Sequence, residues 1–177
     1  IGAMNPAERV LCVEDALELA PQHPQVVRLV ARAPNVEGVG DVPVRALVRQ
    51  ALRMRPDRIV VGEVRGAEVI DLLTALNTGH DGSAGTVHAN STAELPARME
   101  ALAALGGMNR AALHSQLAAA LQVVLGVARG GDGRRGLAEV GVVTRDDDGL
   151  VRILPVWLRT SGFTSGRVHL DELLAAR

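Results

Sequence analysis

What most constrains this chain is the rhythm of its first 110 residues, in which short β-branched runs alternate with amphipathic stretches. Residues 9–13 (Arg-Val-Leu-Cys-Val) predict a short buried strand closed by Glu14-Asp15, and 25–30 predict a second through Val26, Val27, Leu29 and Val30. A loop rich in Pro, Gly and Asn follows at 33–41. Residues 43–54 then place Val44, Leu47, Val48, Ala51 and Leu52 on one helical face, with Pro43 in the first turn and Pro56 as the stop. Arg58-Ile59-Val60-Val61-Gly62 is again strand-like. A helix over 67–78 buries Val69, Leu72, Leu73 and Leu76, and Asn77-Thr78-Gly79 is its stop. Another strand is expected at 84–88. Ser91-Thr92-Ala93-Glu94 has capping-box spacing and opens a helix to about Leu105, whose start Pro96 delays by a turn. A further helix covers 110–122. Strand and helix in alternation predict an α/β domain with a parallel sheet.

The last third changes character. Gln122–Arg129, Leu137–Thr144 and Leu150–Leu158 read as strands joined by the hairpin turns Gly130-Gly131-Asp132-Gly133 and Asp146-Asp147-Asp148-Gly149. This meander is expected to extend the same domain, and the sequence marks no boundary before it. Of 177 residues, 47% are apolar, enough for a real core.

Composition narrows the chemistry. All 19 basic residues are Arg, so a Schiff base, a lysine base or the phosphate-gripping Lys of a P-loop is excluded within these residues. A net charge of −1 argues against duplex-DNA binding by bulk positive charge, and two aromatics, Trp157 and Phe163, leave almost nothing for base stacking. The lone Cys12 cannot form an internal disulfide, which makes a reducing compartment the default. No apolar run reaches the roughly 18 residues of a membrane span, and no secretory leader is expected. A chain opening at Ile1 is expected to be a piece of a longer protein.

Four polar clusters can carry chemistry. Glu14-Asp15, with Glu18 after it, sits at the carboxyl end of a strand, where acids hold Mg²⁺ through water or polarise an attacking water; the bland alternative is a helix cap with solvated acids. Arg58-Ile-Val-Val-Gly-Glu63 is a hydrophobic strand ending in an acid, the Walker B arrangement. Gly79-His80-Asp81-Gly82-Ser83-Ala84-Gly85-Thr86-Val87-His88-Ala89-Asn90 offers glycines and histidines to a phosphate; zinc on His80, Asp81 and His88, or a plain surface turn, are its rivals. Arg28, Arg32, Arg49, Arg53, Arg55 and Arg65 suit phosphate, or local ion pairs.

Taken in order, the blocks 10–19, 26–38, 47–66 and 77–91 resemble the secretion-system traffic ATPases, motors of type II and type IV secretion and of pilus assembly. The likeness runs over roughly 5–145 and is nearest to the CpaF-like branch of tight-adherence (Flp) pili. It implies a RecA-like P-loop NTPase core, here partial and lacking the P-loop strand, with a C-terminal antiparallel β-hairpin extension. It further implies ATP and Mg²⁺ as cofactors and a homo-oligomeric ring, a hexamer in the parent protein. Inner-membrane pilus or secretion platform proteins are the implied partners, nucleic acid is not, and the place is the cytoplasmic face of the inner membrane, peripherally bound.

By the same resemblance, Glu14 falls in an acidic box acting on the attacking water, and Glu63 is the acid of an atypical Walker B, touching Mg²⁺ through water. His88 is the histidine that senses the γ-phosphate. Arg28 and Arg32 act on phosphates or across a subunit junction, Arg65 links the site to a neighbouring subunit, and His80 matches a further family position. The family's Gly-Lys-Ser/Thr loop has no counterpart here. Residues 1–177 are therefore expected to be the carboxyl-terminal part of a motor without its Walker A loop and amino-terminal domain, inactive alone. The competing expectations are a silent oligomerisation or partner-binding module and a RecA-like DNA translocase.

Overall fold

A computed structural model describes residues 1–176. Contacts divide the chain into two compact units, Ile1–His88 with Leu102–Met108, and Ala89–Ala101 with Asn109–Arg177. The strand and helix patterning gave no sign of this division.

The first unit is built on β1 (Val10–Glu14), β2 (Val26–Val30), β3 (Arg58–Val64) and β4 (Ala84–Val87), all parallel, in the order β2-β1-β3-β4. β1 is buried along its whole length, which is why it reads as an unbroken apolar run rather than an alternating one. Its neighbours are set in register by Cys12 opposite both Arg28 and Val60. Helices α1 (Val44–Arg53) and α2 (Glu68–Leu76) supply the covering layer through Val48, Ala51, Val69, Leu72 and Leu73. The two helices are tied by Asp71, nearly buried, whose carboxylate accepts from Arg45 Nε and Arg49 Nε at 2.7 Å each. β3 and β4 slip in register between Val61 and Val64, an irregularity that falls beside Glu63.

The second unit is an antiparallel meander of β5 (Val123–Arg129), β6 (Arg135–Arg145), β7 (Val151–Leu158) and β8 (Gly162–Phe163). The expected turns are there: Gly133 and Gly149 both take a φ of 77°, and Asp146 Oδ1 accepts the Leu150 N–H at 2.8 Å. α4 (Arg110–Ala120) is capped by Asn109, whose side chain accepts the Ala112 N–H. His114 on α4 is buried; its Nδ1 accepts the Val151 N–H at 2.8 Å, and its Nε2 donates to Glu100 at 2.8 Å. α3 (Leu95–Leu105) is divided between the two units. It starts one turn after Ser91, with Pro96 in its first turn, where a missing N–H costs nothing. The strand β8 and the helix α5 (Arg167–Ala175) were not foreseen from the sequence.

Candidate functional site

Because β1, β3 and β4 run in parallel, the polar residues at their carboxyl ends share one edge of the sheet. Glu14 is the last residue of β1, Glu63 the sixth of seven in β3, and His88 follows β4. Ligands of open parallel sheets gather at this edge.

Two contacts engage Glu63. His88 Nε2 donates to Oε1 at 2.9 Å and Arg65 NH2 to Oε2 at 2.5 Å. Arg65 also reaches Asp15, NH1 to Oδ2 at 3.3 Å, so one guanidinium joins the ends of β1 and β3. The hydrogen bond from Arg65, reinforced by its charge and by His88, holds the Glu63 carboxyl below the usual range, while Glu63 raises Arg65 in turn. Glu63 is therefore an anion with two cationic or polar neighbours, half-buried against a well exposed His88.

Glu14 is held differently. It is only 2% exposed, and its Oε1 accepts the N–H groups of Glu18 at 2.9 Å and Leu19 at 2.7 Å. Its Oε2 is buried without a hydrogen-bond partner, and Arg28 NH2 stands 3.6 Å away. Gly62 makes room for it: a Cβ there would meet Glu14 Cγ at 3.0 Å. Glu14, Asp15, Ala16, Glu18, Leu19, Gly62 and Glu63 line one small cleft. A buried carboxyl oxygen without a hydrogen-bond partner is costly unless something binds it.

The remaining candidates lie elsewhere. Arg32 closes the 33–41 loop, with Nε donating to the Gly40 carbonyl at 2.7 Å and its backbone bridged to Val42. His80 precedes β4, at the opposite edge of the sheet, with Nδ1 3.1 Å from the Ala75 carbonyl at the end of α2. The zinc alternative has no support in the geometry: among the described residues no group of three or more His, Cys, Asp or Glu could hold a metal ion. Asp15, expected beside Glu14 as part of an acidic pair, is the acid that Arg65 reaches, and one further residue at the edge escaped the sequence reading. Glu68, the first residue of α2, accepts the N–H of Arg65 at 2.6 Å and of Gly66 at 2.8 Å, and carried no signal beyond being an acid in a first helical turn.

Known proteins bear on this arrangement. Residues 1–129 match the family model described as type II/IV secretion system protein. A Mycobacterium tuberculosis protein named for conjugal transfer is 65% identical over all 177 residues, which are 50% of its own length. The VirB11 protein of Agrobacterium fabrum is 42% identical over 88 residues, 50% of this chain and 25% of that one. The chain thus spans about half the length, or less, of the curated relatives it matches. Among solved structures, the VirB11 ATPase of the Brucella suis type IV secretion system, in complex with sulphate, superposes with a TM-score of 0.66 at 28% identity over 78% of this chain and 41% of that one. The pilus retraction motor PilT with bound ADP shares the fold at a TM-score of 0.52 and 22% identity, over 96% of this chain and 43% of that one. With the family model matching well over half of its residues, the chain belongs to the type II/IV secretion system protein family.

Proposed function

We propose that these residues are the carboxyl-terminal part of an ATP-hydrolysing motor for secretion or pilus assembly, of the CpaF-like tight-adherence branch. The observation that carries the reading is the convergence of Glu14, Glu63 and His88 on the carboxyl edge of one parallel sheet, with Arg65 spanning Asp15 and Glu63. ATP bound at that edge supplies the phosphoanhydride to be split, and Mg²⁺ neutralises its phosphate oxygens.

The residues present fit such a pair in part. Glu14 Oε2 is an orphaned, buried acceptor at the cleft, which suits a water molecule aligned for attack. Glu63 is a single ionised carboxylate, which suits Mg²⁺ held through water rather than by an all-protein cage. His88, largely exposed and free to exchange Glu63 for a phosphate oxygen, suits the sensing of the γ-phosphate. Arg65 and Arg28 have guanidinium groups at the same edge for anionic oxygens or a neighbouring subunit. The reading also assigns phosphate or junction roles to Arg32 and His80, whose present partners are the backbone carbonyls of Gly40 and Ala75.

The motor is proposed to work as a ring, a hexamer, with ATP at its subunit junctions, docked peripherally on inner-membrane platform proteins at the cytoplasmic face and without nucleic acid. Among the described residues no helix is long and apolar enough to cross a membrane. A second reading has its own observation: the 177 residues contain no Lys and no Gly-Lys-Ser/Thr loop, so alone they serve subunit or partner contact without turnover. Phosphate release by the full-length parent, measured with malachite green, tests the first reading. The parent should hydrolyse ATP and its Glu63→Gln variant should not; an inactive parent, or equal rates in the two, sinks it.

A further inference from the structure

Arg65 is the side chain that joins the two acidic strand ends, yet it is 67% exposed, and packing does not hold it. Its aim therefore depends on the backbone that carries it. That backbone turns sharply out of β3 at Arg65-Gly66, and both N–H groups of the turn are captured by one atom, Oε1 of Glu68, at 2.6 and 2.8 Å. Gly66 leaves space for the carboxylate: a Cβ there would stand 3.1 Å from Glu68 Oε2.

We propose that Glu68 is a positioning residue: by clamping the 65–66 turn it aims the Arg65 guanidinium across Asp15 and Glu63. The inference deepens the ATPase reading and rests on it for its consequence in turnover. An acid in the first turn of a helix has an ordinary use, complementing the helix dipole. That use does not require both N–H groups of the preceding turn to converge on one oxygen. The same N–H groups lie at an exposed residue and its neighbour, where water replaces a lost acceptor. Removing Glu68 should consequently leave the fold nearly intact while releasing the direction of Arg65.

The test is a mutant cycle in the full-length parent, read by steady-state ATP hydrolysis. Glu68→Ala should lower kcat about tenfold with little change in KM, Glu68→Gln should recover most of it because an amide oxygen accepts the same two N–H groups, and Glu68→Ala should add nothing on an Arg65→Ala background. If the two alanine substitutions multiply instead, Glu68 does not act through Arg65 and the proposal fails. A crystal structure of the Glu68→Ala parent decides the matter without turnover. Arg65 should have left Asp15 and Glu63 in it, and an Arg65 still bridging both overturns the positioning role. An inactive wild-type parent would refute the ATPase reading and leave the crystallographic test of the clamp standing.

Discussion

Glu14 has two separable duties, and substitution can pull them apart. Its Oε1 accepts two backbone N–H groups, from Glu18 and Leu19, in a site only 2% exposed. Water reaches the exposed Glu18 and the half-buried Leu19, so Glu14→Ala, which removes the acceptor their N–H groups share and leaves a buried gap, should cost about 1–3 kcal/mol. For a chain of this size each kcal/mol moves the midpoint of thermal unfolding by about 2–4 °C, so a fall of roughly 5 °C is expected. Glu14→Gln keeps an oxygen for the same two donors. It places an amide NH2 where Oε2 has no hydrogen-bond partner, and forfeits an attraction to Arg28 across 3.6 Å. Arg28 is 31% exposed, which discounts that attraction to about 1 kcal/mol or less. Urea unfolding followed by circular dichroism should thus rank wild type, Gln and Ala in that order, with Gln close to wild type. Amide exchange at Glu18 and Leu19 should accelerate in the alanine variant alone. In the full-length parent, both variants should lose about a hundredfold or more in phosphate release if Glu14 acts on the attacking water. An alanine variant within about 0.5 kcal/mol of wild type, or a glutamine variant as unstable as the alanine one, would refute the account of Oε1 as the structural oxygen. A stable glutamine variant with full turnover would refute the chemical duty.

Two further outcomes follow from the same contacts. The hydrogen bond from His114 holds Glu100 below the usual carboxylate range, so the stability it contributes is present above the unfolded value of about pH 4.3 and is lost as pH falls through the lower folded value. Unfolding midpoints of wild type should therefore drop more steeply below pH 4.3 than those of Glu100→Gln, and parallel curves would count against it. The isolated chain should self-associate, because β4 pairs only with β3 among the described residues, its outer edge is exposed, and Ala-Gly-Thr-Val carries no charge or proline to guard it. Light scattering should show a mass that rises with concentration, and a monomer at every concentration contradicts this.

How much could be read in advance depended on whether the determinant was local. β1 and β3 were legible because full burial demands continuous apolar residues, and the hairpins because Gly133 and Gly149 meet a positive φ that few other residues tolerate. α5 was not legible: it has no buried residue, so nothing forces a periodic apolar stripe on it, and the two residues of β8 are too few for a pattern. At the site the same rule holds. An acid closing an apolar strand announces Glu14 and Glu63 one at a time, but their meeting depends on β1 and β3 being neighbours, a fact of sheet order that no window of sequence contains. His80 and His88 belong to one Gly-rich block, yet β4 lies between them and carries the chain about 13 Å from one edge of the sheet to the other. Closeness in sequence therefore separates them, and His80 finishes on the carbonyl of Ala75 while His88 meets Glu63. Arg28 shows the converse: fourteen positions from Glu14, it reaches that acid's neighbourhood through the register that sets it opposite Cys12. The contacts that Asp15 and Glu68 make with Arg65 had no local signal: Asp15 pairs with its guanidinium, Glu68 accepts the N–H groups of Arg65 and Gly66, and both contacts depend on where the turn after β3 carries that residue.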